Sequence, residues 1–203
     1  MMIPPDDVAA SVEFYVTHFG FTAQHVFPAF EIDEPNTQAW KRRRLDALGY
    51  GVPDHLRLIP VDFERDHDWW QALADEGFHR DARALVSSSG VSMYITKAAN
   101  AETLQQLARL APGSILAMTF MLPFDLADPA DRPGLEAAAR GARESGTPWV
   151  SYYKPEEIVD LAHRAGFTSA RYVPTNEIAA RYLNGRSDGL RAATGEGILL
   201  ART

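Results

Sequence analysis

The sequence predicts an α/β fold with a mostly parallel sheet. Three observations carry this. Short β-rich runs alternate with longer helical ones along the chain, five times over. Glycine closes helical runs at Gly20, Gly49, Gly77, Gly113 and Gly166, while Pro35 and Pro155 stand at first helical positions. The run SILAMTFM (114–121) is uncharged and mostly apolar, as in a buried-type strand.

Taken in order, Val8, Val12, Tyr15 and Phe19 fall on one helical face, which predicts a helix over 8–19. Residues 21–27 read as a strand in an N-terminal extension, and AFEID (29–33) as the first strand of the main domain. Pro35 opens a helix to about Leu48, with Trp40, Arg44, Leu45 and Leu48 on one face. LRLIPV (56–61) is a strand, 66–76 a helix and 82–86 a strand. Residues 98–110 are helical, with Leu104, Leu107, Ala108 and Ala111 in register, and the apolar strand 114–121 follows. Residues 132–145 and 155–165 are helices, 168–173 a strand, 175–183 a helix and 197–203 a final strand.

Composition narrows the function. The chain has 203 residues and a net charge of −7, a poor match to nucleic acid, which wants a basic face. It has no cysteine, which excludes a disulfide scaffold, a zinc–thiolate site and a cysteine nucleophile. The histidines at 18, 25, 55, 67, 79 and 163 include no i,i+4 pair, so no metal site is expected. The N-terminus meets Asp6 and Asp7 without a basic segment, and the longest tempting uncharged run, 84–96, falls short of the roughly 20 residues a span needs. The expectation is a cytoplasmic protein with no membrane partner.

In parallel sheets ligands bind beyond the carboxyl ends of strands, so the residues after each strand matter most. Asp33 ends the first. Its carboxylate suits two ribose hydroxyls, or it caps the next helix. Asp62 and Phe63 follow the second strand. They suit adenine, the carboxylate accepting from the exocyclic amine and the ring packing on the base; the alternative is a turn Asp and a core Phe. Ser87-Ser88-Ser89-Gly90 follows the third and lets a ligand approach the backbone closely; it is not a Gly-x-Ser-x-Gly elbow. Tyr94, Trp149 and Tyr152 are candidates for lining a substrate pocket. Trp69-Trp70 and Tyr152-Tyr153 each read as one core and one surface residue, and Lys41 to Arg44 as a solvated face.

Four stretches together carry a resemblance: FEIDEPNTQAWKRRRL (30–45), LIPVDFERDHDWWQALADEGF (58–78), SSSGVSMYITKAANAETLQQLARLAPGSILAMTF (87–120) and GTPWVSYYKPEEIVDLAHRAGF (146–167). In order and spacing they resemble the leucine carboxyl methyltransferase-like class I S-adenosylmethionine-dependent methyltransferases, from about residue 30 onward. The resemblance implies a Rossmann-like sheet with an antiparallel last strand and S-adenosyl-L-methionine as cofactor. Asp33 would hold the ribose, Asp62 and Phe63 the adenine, and Ser89 stands where many members have Glu.

The front departs from that pattern. The family's first strand and Gly-rich loop have no counterpart here: Gly49-Tyr50-Gly51 and Gly195-Glu196-Gly197 neither follow a strand nor open a helix. Residues 6–27 instead resemble the start of a glyoxalase/bleomycin-resistance module without its metal-binding histidine. The expected organisation is an N-terminal extension, 1–28, and a methyltransferase-like domain, 29–203. Neighbours of a missing central strand would leave backbone groups unpaired at about 1–3 kcal/mol each, so residues 21–27, another subunit or a rearranged sheet must fill the gap. The functional expectation is methyl transfer to a small-molecule oxygen, a carboxylate included, with turnover impaired by the missing loop. No catalytic residue is assigned, because such chemistry rests on proximity and orientation. The rival is a non-enzymatic, degenerate fold that serves as a binding or dimerisation module, and a homodimer stays open.

Overall fold

A computed structural model describes residues 28–66 and 68–203. The helix and strand expected over 8–19 and 21–27 lie outside them. The described chain divides into two compact units after Phe78.

The first unit is a parallel β–α–β. Strand β1 (Ala29–Asp33) pairs with β2 (Leu56–Pro60), Ala29 opposite Leu56 and Asp33 opposite Pro60. Helix α1 (Pro35–Ala47) makes the crossover that parallel strands require. It is held to β1 by polar contacts: the buried Gln38 donates to the Glu31 carbonyl and Lys41 pairs with the Glu31 carboxylate. The face carrying Trp40 and Leu48 is exposed, Trp40 by 60%. Helix α2 (Trp70–Asp75) is shorter than the expected 66–76. Asp62 and Asp66 close a turn on each other, the Asp62 N–H donating to the Asp66 carboxylate, and this occupies the residues that would have begun the helix. Trp69 and Trp70 are both buried, so the expected surface tryptophan is corrected. A line of rings explains it: Phe63–Trp69 (6.3 Å between centroids), Trp69–Trp70 (4.7 Å), Trp70–Phe78 (6.0 Å) and Phe78–Phe30 (5.2 Å).

The second unit is a four-stranded sheet. Strands β3 (Leu85–Ser88), β4 (Ile115–Met121), β5 (Ser169–Val173) and β6 (Glu196–Arg202) lie in the order β3-β4-β6-β5. β3 and β4 are parallel; β6 runs antiparallel to both β4 and β5, giving the antiparallel last strand. β3 falls later than the expected 82–86, because Ser87 and Ser88 are paired with Ala117 and Met118 and the ladder overrides their weak strand preference. Helices α3 (Lys97–Leu107), α4 (Arg132–Glu144), α5 (Pro155–Ala165) and α6 (Thr175–Tyr182) connect the strands, with a 3₁₀ turn at Phe124–Leu126. Gly166, at φ +115°, stops α5 in the left-handed region that only glycine enters at low cost. The core is Leu104, Leu116, Phe120, Ile158 and Leu199, each at most 1% exposed. Among the described residues no helix is long and apolar enough to cross a membrane.

Two glycines distinguish packing from freedom. A Cβ on Gly197 would stand 2.3 Å from the Tyr172 ring and 3.2 Å from Phe120, whereas Gly141 in α4 has open space. Gly197→Ala is therefore expected to lower stability by about 1–3 kcal/mol. Gly141→Ala should raise it by roughly 0.5–1 kcal/mol. Thermal unfolding of the two variants should shift in opposite directions.

Candidate functional site

In the first unit the parallel ladder sets the geometry. The Asp33 carbonyl accepts from the Val61 N–H at 2.9 Å, one step beyond β2, so Asp33 and the Asp62-Phe63 turn lie at the same carboxyl end. The two readings of Asp33 are separated by its neighbour. Glu34 caps α1, its carboxylate accepting from Asn36 N–H at 2.8 Å and Thr37 N–H at 3.0 Å. Asp33 accepts only from the Glu34 N–H, on Oδ1, among the described residues. Asp33 is thus not the helix cap, and among the described residues no donor reaches its Oδ2. Asp62 Oδ1 accepts from the Glu64 N–H, while Oδ2 stands 3.5 Å from Arg65 Nε. Phe63 is half-buried, its ring edge-on to Trp69. Two carboxyl groups and an aromatic ring thus share one strand edge of the first unit.

In the second unit the carboxyl ends of β3 and β4 carry Ser89, Tyr94, Trp149 and Tyr152. The segment after β3 is pinned to β4: the Gly90 N–H donates to Thr119 Oγ1 and the Ser92 hydroxyl to the Thr119 carbonyl. Gly90, at φ +69°, makes the turn. The 149–153 segment is pinned in turn. Val150 and Ser151 donate N–H groups to the Met93 carbonyl, the Ser151 hydroxyl to the Ile95 carbonyl and Tyr153 N–H to the Met121 carbonyl. These bonds hold the Val150-Ser151 backbone against Met93, and the Tyr152 ring meets Phe124 edge-on at 5.4 Å. Tyr153 is buried and Tyr152 half-buried. Burial pushes both hydroxyls up, that of Tyr153 to about 12, so neither is an anion near neutrality.

Two residues central to this edge carry no motif. Asn100, fully buried in α3, donates to the carbonyls of Ser92, Ile95 and Thr96. Its signal was an Asn in a first helical turn, where its propensity is poor unless the side chain has work to do. Asp131, before α4, receives both guanidinium arms of Arg191 together with the N–H and hydroxyl of Thr194. It thereby anchors the loop that leads into β6. Arg191 first, then Thr194, holds its carboxyl far below the ordinary carboxylate range.

The two Gly-x-Gly sequences are accounted for structurally. Gly49 and Gly51 sit beyond the end of α1, and Gly195 and Gly197 fit tightly against Leu135 and Tyr172. Among the described residues no cluster of His, Asp and Glu could hold a metal ion.

Strands, crossover helices and the antiparallel last strand define a Rossmann-like methyltransferase fold. Residues 22–108 match the family model for leucine carboxyl methyltransferase, starting ahead of β1. YktD of Bacillus subtilis strain 168, assigned provisionally by name to the S-adenosyl-L-methionine-dependent methyltransferases, is 28% identical over 164 residues, covering 80% of this chain and 53% of that protein. SCO6443 of Streptomyces coelicolor, named likewise, is 32% identical over 149 residues, covering 71% and 48%. The solved structure of PigF with S-adenosylhomocysteine aligns with a TM-score of 0.53 at 14% identity, over 96% of this chain and 47% of that one, a likeness of fold. Over residues 22–108 the chain is thus similar to leucine carboxyl methyltransferase, and beyond them to S-adenosyl-L-methionine-dependent methyltransferases. It spans about half the length of the curated relatives it matches.

Two outcomes follow. Asn100→Ala leaves the Ser92 carbonyl without its donor, while the Ile95 carbonyl keeps the Ser151 hydroxyl and the Thr96 carbonyl keeps the N–H of residue 100; it should cost about 1–3 kcal/mol, read by urea denaturation. For Asp131 the folded pKa lies below the unfolded one, so its contribution is complete above about pH 4 and fades as pH falls. Asp131→Asn should therefore be less stable than the wild type at pH 7, with the gap closing below about pH 3 in pH-dependent thermal melts.

Proposed function

We propose that this chain carries the cofactor edge of an S-adenosylmethionine-dependent methyltransferase acting on an oxygen, a carboxylate included, of a small molecule. The observation that supports it most directly is the division of labour between Glu34 and Asp33: the first caps α1, and the second, among the described residues, has one carboxylate oxygen without a donor at the carboxyl end of β1. Asp33 would accept from the ribose hydroxyls, Asp62 from the adenine amine, and Phe63 would pack on the base. Within the second unit, Ser89, Tyr94, Trp149 and Tyr152 would line a ligand-facing edge of their own.

The bound cofactor would supply an electrophilic methyl on a sulfonium. The protein's share is orientation and exclusion of water, and small displacements of a reacting atom can cost on the order of 100-fold in rate. The second reading is a degenerate fold that serves as a binding or dimerisation module without turnover. Nucleic acid and membrane are not proposed as partners, and a homodimer is compatible with either reading.

Calorimetric titration with S-adenosylhomocysteine tests the cofactor edge. Binding is expected, and Asp33→Ala should weaken it by about tenfold, the loss of one charge-assisted hydrogen bond. Unchanged affinity in Asp33→Ala would remove the ribose assignment. Absence of wild-type binding would leave the non-enzymatic module.

A further inference from the structure

The first unit contains a buried ring for which neither motif nor fold reading gives a use. Trp69 is only 4% exposed, although it stands in the connection between the Asp62 turn and α2. Its indole meets the Phe63 ring at 6.3 Å and 85°, edge to face, and its other side stacks on Trp70 at 4.7 Å and 33°. Trp70 continues through Phe78 to Phe30 of β1, the strand that ends in Asp33. Phe63 is half-buried and follows the Asp62 turn. A phenyl ring on a turn has two free side-chain torsions, and a flat base gains most from a ring already held in one orientation.

We propose that Trp69 is a positioning residue for base recognition: it fixes the Phe63 ring as the surface on which the adenine rests. The proposal depends on the cofactor edge described above. Trp69 touches no cofactor atom in this scheme and acts only through Phe63. The column from Trp69 to Phe30 carries the same constraint back to β1, so the base platform and the Asp33 carboxylate are held by one set of packed rings. An edge-to-face pair has a preferred angle, which an aliphatic chain of similar bulk does not impose.

The experiment is a double-mutant cycle on the full chain, read as the dissociation constant of S-adenosylhomocysteine by calorimetry. Trp69→Leu keeps most of the buried volume and guards against loss of the fold, which far-ultraviolet circular dichroism checks; Trp69→Phe restores a ring. Trp69→Leu should weaken binding by about three- to tenfold, the worth of an aromatic pair. Trp69→Phe should stay within about twofold of wild type. Phe63→Leu should weaken binding as well, and adding Trp69→Leu to it should change nothing further, because the partner through which Trp69 acts is gone. Additive losses, or wild-type affinity in Trp69→Leu, overturn the proposal and leave the cofactor edge standing. If the wild-type chain does not bind S-adenosylhomocysteine, the cofactor edge itself fails and this inference falls with it.

Discussion

A parallel ladder brings the ends of successive strands to one edge, and what this chain can offer a ligand depends on that constraint. In the first unit one backbone bond, from the Val61 N–H to the Asp33 carbonyl, carries the pairing past the end of β2 and fixes where the Asp62 turn begins. In the second unit β3 and β4 keep the same direction, so the Ser89-Gly90 turn and the residues after Met121 emerge together. Crossover helices are the cost of parallel pairing, and each begins where a ligand would sit. That is why the helix starts in this protein are dense with polar side chains. Glu34 caps α1, Thr96 caps α3, and Glu157 folds back onto Lys154 at the start of α5.

Once helix ends are satisfied locally, the remaining polar groups are available for other uses. Asp33 and Glu34 are adjacent carboxylates with different tasks, because only one can face the first turn of α1. The second unit uses its buried polar atoms as fasteners. Asn100, Ser92 and Ser151 are almost fully covered, and their side chains bond to main-chain carbonyls. They stitch irregular segments whose own backbone has no ladder to join. Side chains such as Tyr94 and Tyr152 can then stay partly exposed on a rigid base.

Much of the fold was legible because helix caps, glycine stops and apolar runs act locally. Pro35, Pro155 and Gly166 stand where the structure uses them. The misplacements share a cause in contacts distant along the chain or in turn chemistry. Ser87 and Ser88 become strand because Ala117 and Met118 lie opposite. Asp66 leaves the helix because its carboxylate is taken by the Asp62 N–H. The pair Trp69-Trp70 could not be assigned to one core and one surface position, since Phe63 packs on Trp69 and Phe78 on Trp70. At the candidate site the strand-end carboxylates were readable from spacing. Asn100 and Asp131 were not, because their partners at 92–96 and 191–194 come together only in three dimensions.

The position of β6 has a consequence for how the protein is made. It lies between β4 and β5, and among the described residues β5 has no other strand beside it. The last sheet element in chain order is therefore the one that joins its neighbours. During synthesis β4 and β5 both leave the ribosome with an unpaired edge, and they keep it until residues 196–202 arrive. The second unit is thus a late-closing fold whose intermediates display open strand edges, the kind of surface that chaperones cover. The first unit pairs β1 with β2 across one short helix, and its ladder can close while the rest of the chain is still being translated.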